Sequence, residues 1–403
     1  MSLSVVAEER EMRIVGRHYK SGLPVQLDVE NGHVVAIKDL SMAEELLERL
    51  PWIAPGIVDL QINGFAGREF TDAELTETVI AELSCALDAD GVTSYLPTCT
   101  THSSEMLTHA FQTLAEAVET VPEVRQRVAG FHLEGPYISP EQGPRGAHPQ
   151  EHCRRPDWDE FQRLQEVAGG MIRLVTLSPE YDNTTNFINK VVANGVVVAI
   201  GHTNATSCQI QAAVDAGATM STHLGNGAHA QIQRHPNYIW DQLADDRLTA
   251  SLIVDGHHLP EAVVKSFVRS KTVERCFLVS DIVGMAGMPA GRYRNSSIGD
   301  VELLEDGRLV VGGQREYLAG ATLPITVGIA KVMEFANLAL EDAIEMATRR
   351  PAEIIGETAG DLAVGAVADL ILFELPLPGE DRIAICATVN AGEVVFGEVS
   401  VSL

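Results

Sequence analysis

Eight short apolar runs, at residues 57–62, 92–96, 128–133, 172–177, 196–200, 219–222, 249–254 and 277–280, alternate with stretches of helical pattern. Strand-like runs separated by mostly roughly 20 to 40 residues are the signature of βαβ units in a parallel sheet. Eight is the number that closes a barrel, so the expected fold class is α/β, a (β/α)8 TIM-like barrel.

The chain has 403 residues, more than a barrel of about 250 to 300 needs. The surplus lies at the two ends. Val25-Gln26-Leu27-Asp28-Val29 and His33-Val34-Val35-Ala36-Ile37 flank the turn Asn31-Gly32, and Ala368 to Phe373 and Glu393 to Phe396 flank Asn390-Ala391-Gly392. Both read as short strands around tight turns. They are expected to pair into one discontinuous β-sandwich, so that residues 1–54 and 357–403 form a small β domain around a barrel at 55–356. Residues 291–317 break the rhythm with a hairpin pattern, an expected excursion over the barrel rim. Residues 340–350 read as a late helix, which Pro351 ends or follows with a short further turn.

Catalytic groups of such barrels sit where strands end at the C-terminal face. Run three ends in His132-Leu133-Glu134-Gly135-Pro136, run five in Gly201-His202-Thr203-Asn204, run six in Thr222-His223-Leu224-Gly225-Asn226, run seven in Asp255-Gly256-His257-His258, and run eight in Ser280-Asp281. Glu134, His202 and His223 are the donor classes of a His2Glu metal site with an open position. A buried histidine held by a backbone hydrogen bond would explain any one of them; three at strand ends favour a metal. Asp281 is placed as general base and then general acid. Run one ends in Gln61 and Asn63, which share a face but are poor ligands. Run four, Leu177-Ser178-Pro179-Glu180, offers no lysine for a bridging carbamate. One divalent ion per subunit is therefore expected, zinc first, with iron, cobalt or manganese compatible with the same donors.

Formal net charge is -27, which repels nucleic acid and anionic membranes. No stretch approaches the roughly 18 apolar residues of a membrane span, and residues 1–17 lack the apolar centre of a signal peptide. The six cysteines are scattered without a C-x-x-C pair, as expected of reduced thiols in a cytoplasmic protein.

At these residues the sequence resembles the amidohydrolase superfamily and, within it, the N-acetylglucosamine-6-phosphate deacetylase family. The likeness spans nearly the whole chain. It rests on Pro55-Gly56-Ile57-Val58-Asp59, His132 to Pro136, Gly201-His202-Thr203-Asn204-Ala205-Thr206, Thr222-His223-Leu224 with Asn226, Asp255-Gly256 with His258, and Leu318-Ala319-Gly320. The superfamily usually carries His-x-His on strand one, whereas some of these deacetylases carry Gln-x-Asn, as Gln61 and Asn63 do here. The resemblance implies a mononuclear member with a vacant second-metal position at Gln61 and Asn63, ligands Glu134, His202 and His223, and Asp281 as proton shuttle. It further implies His148 as polariser of the acetyl carbonyl. Substrate contacts are implied from Ala147, His148, Asn226, Gly227, Arg234, Asp255, His258, Leu318, Ala319 and Gly320. Arg234 would bind the sugar phosphate through its forked donors, reaching across to a neighbouring subunit, which implies a homodimer.

Departures cluster in the substrate loop, where Asn226-Gly227-Ala228 replaces the usual Asn-Ala-Met and Arg234-His235-Pro236-Asn237 replaces Arg-Glu-Pro-Gly. They bear on the substrate rather than on the metal chemistry. The expected reaction is hydrolysis of the acetamide of N-acetyl-D-glucosamine 6-phosphate to glucosamine 6-phosphate and acetate. A galacto-configured or unphosphorylated amino sugar is the nearest alternative. A cyclic amidase or deaminase would need the strand-one histidines and strand-four lysine, and a non-catalytic sugar-binding barrel would have no use for the intact Glu134, His202, His223 and Asp281.

Overall fold

The computed structural model describes residues 11–296, 299–312 and 318–399. Eight parallel strands form one sheet in chain order: β1 (Ile57–Ile62), β2 (Val92–Thr100), β3 (Phe131–Glu134), β4 (Ile172–Leu177), β5 (Val197–Ile200), β6 (Met220–Ser221), β7 (Thr249–Leu252) and β8 (Cys276–Leu278). Every residue of β1 is buried, as a strand covered on both faces must be.

Alternation along the strands sorts the two faces. Leu133 and Val175 pack outward toward the helices, while Leu96, Leu174, Met220 and Phe277 fill the barrel centre. Two residues further along the same inward face come Thr98, Thr176 and Thr222, with His132 among them. His132 Nε2 lies 2.8 Å from the Thr176 hydroxyl, which lies 2.7 Å from that of Thr222. This polar layer floors the site: Glu134 follows His132 by two positions, and His223 follows Thr222.

Closure between β1 and β8 is partly made by a side chain. Asp281 N donates to Gln61 O at 3.0 Å and Asn63 N to Ile282 O at 2.8 Å. Below them the buried Asp59 carboxylate accepts from Ser280 N at 3.2 Å and from Gln61 N at 3.2 Å. Burial pushes its pKa up to about 7 against these hydrogen bonds.

Both ends of the chain enter one seven-stranded sheet, ordered Glu393–Gly397, Ala384–Asn390, Leu370–Glu374, Trp52–Pro55, Glu11–His18, Pro24–Glu30 and His33–Asp39. The joint is Trp52–Pro55, where Ile53 faces Leu372 antiparallel and His18 parallel. Ile14, Leu27, Val34, Leu370 and Val389 share its core, so the sheet curls into the expected small sandwich; residues 1–10 and 400–403 of that expectation lie outside the described residues. Its two hairpin turns, Asn31-Gly32 and Ala391-Gly392, run at positive φ, the geometry of tight two-residue loops. They press together so closely that a Cβ on Gly32 would sit 2.8 Å from the Ala391 carbonyl.

The excursion after β8 is a three-stranded antiparallel sheet, Gly291–Ser296, Gly299–Leu303 and Leu309–Val311, docked through Val301, Leu303 and Leu309 onto Val283, Met285 and Ala319. Residues 297–298 and 313–317 of that expected segment lie outside the described residues. The late helix is two short ones, Leu340–Glu345 and Arg349–Ile354, with Pro351 in the first turn of the second, where its missing N–H is tolerated.

Candidate active site

Glu134 ends β3, His202 and His223 follow β5 and β6, and Asp281 follows β8. Glu134 Oε1 lies 3.2 Å from His202 Nε2 and 3.1 Å from His223 Nε2, and the two nitrogens are 3.0 Å apart. His202 Nδ1 donates to the Pro144 carbonyl at 2.8 Å, which leaves its Nε2 as a lone pair directed at the other two groups. Three electron-pair donors therefore face one point. Ligand separations of roughly 3.3 Å follow from bonds of about 2.0–2.1 Å in a tetrahedral site, so the donor set fits a divalent cation. It is the one such group of three among the described residues.

The backbone is bent to bring them in. His202, His223 and Asp281 have φ of 49°, 29° and 53°, a left-handed region that non-glycine residues enter at a cost of about 1–3 kcal/mol each. Strain of that kind collects where geometry is dictated by chemistry.

Gln61 and Asn63 face the same point as donors. Gln61 Nε2 donates to Glu134 Oε1 at 2.9 Å, and Asn63 Nδ2 to Asp281 Oδ1 at 2.7 Å. Burial would raise the pKa of Glu134, but the two adjoining imidazoles, His202 and His223, hold it well below the carboxylate range. Asp281 goes the other way, pushed up to about 6 by burial and then by the charge of Glu134. One carboxylate thus stays ionised while the other is poised to exchange a proton.

His148 is buried against His202, ring centroids 4.4 Å apart, and burial lowers its pKa to about 3. It is a neutral imidazole whose Nδ1 has no partner in the protein. The adjacent histidines part company: His257 Nε2 donates to the Asp306 carbonyl at 2.9 Å, while His258 faces the cavity with Nδ1 2.6 Å from Asp255 Oδ2.

A cavity of about 890 Å³ opens over these groups, and Ala147, His148, Asn226, Gly227, His258, Leu318, Ala319 and Gly320 all line it. Two expected contacts do not. Asp255 spends its carboxylate on His258 and on the N–H groups of His257 and His258, both at 2.8 Å. Arg234 stands exposed on the loop before helix Tyr238–Ala244, outside the cavity of its own chain. Gly227 has a packing reason: a Cβ there would lie 2.7 Å from His202 Nδ1. The cavity also takes in Arg145 and the stacked pair His102 and His152, 4.7 Å apart, which sequence reasoning missed. The Gly-Pro-Arg-Gly run before His148 was the available signal for Arg145; His102 carried none.

Residues 52–398 match the amidohydrolase family model. The human N-acetylglucosamine-6-phosphate deacetylase is 32% identical over 365 residues, covering 85% of this chain and 83% of that protein. The chain belongs to the amidohydrolases, in the N-acetylglucosamine-6-phosphate deacetylase family. An N-acetylgalactosamine-6-phosphate deacetylase of Escherichia coli O157:H7 is also 32% identical, over 87% of this chain and 90% of that one. Among solved structures, a variant of the Mycobacterium smegmatis N-acetyl-D-glucosamine-6-phosphate deacetylase, in complex with N-acetyl-D-glucosamine-6-phosphate, superposes with a TM-score of 0.84 at 30% identity, over 96% of this chain and 99% of that one. As an amidohydrolase the chain is a hydrolase acting on an amide, and its barrel is the family's.

Proposed function

We propose that this amidohydrolase hydrolyses the acetamide of N-acetyl-D-glucosamine 6-phosphate, giving D-glucosamine 6-phosphate and acetate. The observation that carries the reading is the convergence of Glu134, His202 and His223 beside Asp281 at the floor of one cavity. Those three residues would hold one divalent ion, zinc first among iron, cobalt and manganese. When bound, such an ion supplies Lewis acidity and makes water a nucleophile near neutral pH.

The chain's own residues do the rest. Asp281, oriented by Asn63, takes a proton from the attacking water and returns it to the departing nitrogen. His148, neutral at working pH, donates to the carbonyl oxygen as negative charge grows there. His258, held by Asp255, and the walls at Ala147, Asn226, Gly227, Leu318, Ala319 and Gly320 position the sugar. Gln61 and Asn63, in place of a second ion's ligands, keep Glu134 and Asp281 aimed.

Arg234 is assigned to a partner's cavity. Its exposure, with Ile232 38% and Trp240 52% exposed nearby, supports a homodimer in which each copy lends a phosphate contact to the other. We further propose domain limits at 1–54, 55–356 and 357–403. A cytoplasmic location is supported by six unpaired thiols; no helix among the described residues is long and apolar enough to cross a membrane.

The E. coli relative gives a second reading, a galacto-configured substrate. Acetate and free amine, measured with N-acetylglucosamine 6-phosphate, its galacto epimer and unphosphorylated N-acetylglucosamine, with and without chelator, separate the two. Chelator-sensitive release from the gluco phosphate above the others is expected; release from none of them overturns the proposed function.

A further inference from the structure

Four carboxylates, Glu69, Glu134, Glu151 and Asp281, line the cavity of a chain with net charge -27. A phosphate entering it is repelled unless a cation answers it locally. Among the described residues of the lining, Arg145 alone carries a permanent positive charge. It lies on the loop that brings His148 over the site. One of its terminal nitrogens, Nη1, donates to the His148 carbonyl, which braces the loop. Its Nε, however, is buried without any partner in the protein. A guanidinium N–H shut away from water and left unpaired is costly, and an anionic oxygen in the adjoining cavity would satisfy it. Arg234, in contrast, lies outside this cavity.

Resting on the amino sugar phosphate reading, we propose that Arg145 is a specificity-determining contact for the phosphate, a cation supplied by the same chain that supplies the reacting groups. A guanidinium there offers forked, charge-assisted bonds to two phosphate oxygens. The competing account makes Arg145 only a brace for the His148 loop, and the two accounts differ in which substrate suffers when it is changed.

The test compares wild type with R145M and R145K. It measures kcat/KM on phosphorylated and unphosphorylated N-acetylglucosamine, and calorimetric binding of glucosamine 6-phosphate, glucosamine and inorganic phosphate. In R145M the preference for the phosphorylated sugar is expected to fall about 10- to 100-fold, chiefly through KM. Glucosamine 6-phosphate should weaken by a similar factor and glucosamine by less, with R145K intermediate because it keeps charge but loses the fork. Equal losses on both sugars, or sugar phosphate binding within about twofold of wild type, overturn the proposal and leave the brace. Wild type that binds sugar phosphate through Arg145 but releases no acetate keeps the anion site and overturns the deacetylase reading. Wild type that binds neither sugar phosphate nor inorganic phosphate overturns the anion site itself.

Discussion

Asp281 and Gln61 show how single side chains divide the work. Asp281 touches the reacting atoms, so Asp281→Asn should keep its metal yet lose about 10³-fold or more in kcat; metal analysis beside turnover checks this, and retained activity removes the proton-shuttle role. Gln61 acts through Glu134, to which it donates at 2.9 Å. Gln61→Leu leaves that oxygen short of a donor and should weaken metal binding about 10- to 100-fold, read by competition with a chelator; unchanged affinity would make the amide a bystander. The site was legible where position along a strand decides direction. Glu134 ends a barrel strand and His202, His223 and Asp281 come just after theirs, and strand ends point one way. Arg145, His102 and His152 were not, because loops place them, and loop paths follow from tertiary packing that no local pattern encodes. The amide pair was visible as a departure from histidine, but only the fold turns both amides as donors toward carboxylates.

At the level of elements, the barrel runs were readable because parallel strands buried on both faces leave a nearly continuous apolar record. The third run starts later than its apolar stretch suggests: Val128 makes only an isolated bridge to Tyr95, and Gly130, at φ 151°, intervenes before Phe131. The sixth shrinks to Met220–Ser221 because the chain turns at once toward His223. How β1 and β8 close was hidden, since Asp59 replaces part of a backbone ladder and its partner Ser280 is remote in sequence. Asp59→Leu strands the buried N–H groups of Ser280 and Gln61 and should cost about 2–4 kcal/mol, seen as a lower midpoint in chemical unfolding. Because Ser280 precedes Asp281, activity at temperatures where the variant stays folded should also drop. A midpoint within experimental error of wild type would mean that the closure holds without the carboxylate.

Across the whole molecule, barrel and sandwich meet at the turn Leu87–Asp90 and the start of β2, where Thr388 donates to the Asp88 carbonyl at 2.7 Å and Asn390 to that of Thr93 at 2.9 Å. Asp90 is caught in this seam, its pKa pushed up to about 6 by burial, with Arg382 opposing only in part. Since the folded-state value lies above the ordinary 3.8, the penalty is fully present above about pH 6 and fades as pH falls through 6 toward 4. Asp90→Asn should therefore stabilise the protein by about 1–2 kcal/mol at pH 7.5, after discounting for partial exposure, and by almost nothing at pH 4. Thermal midpoints at both values check the sign; an equal gain at both would assign the effect to something other than charge. The sandwich itself sets a condition on biosynthesis. Trp52–Pro55 must pair with Leu370–Glu374, yet at about 5–20 residues per second a ribosome delivers the second strand roughly 15 to 60 s after the first. During that interval Trp52–Pro55 has Glu11–His18 on one side and an open hydrogen-bonding edge on the other. The nascent chain is then a natural client for a holdase, and slowing translation late in the message should lengthen its exposure to aggregation.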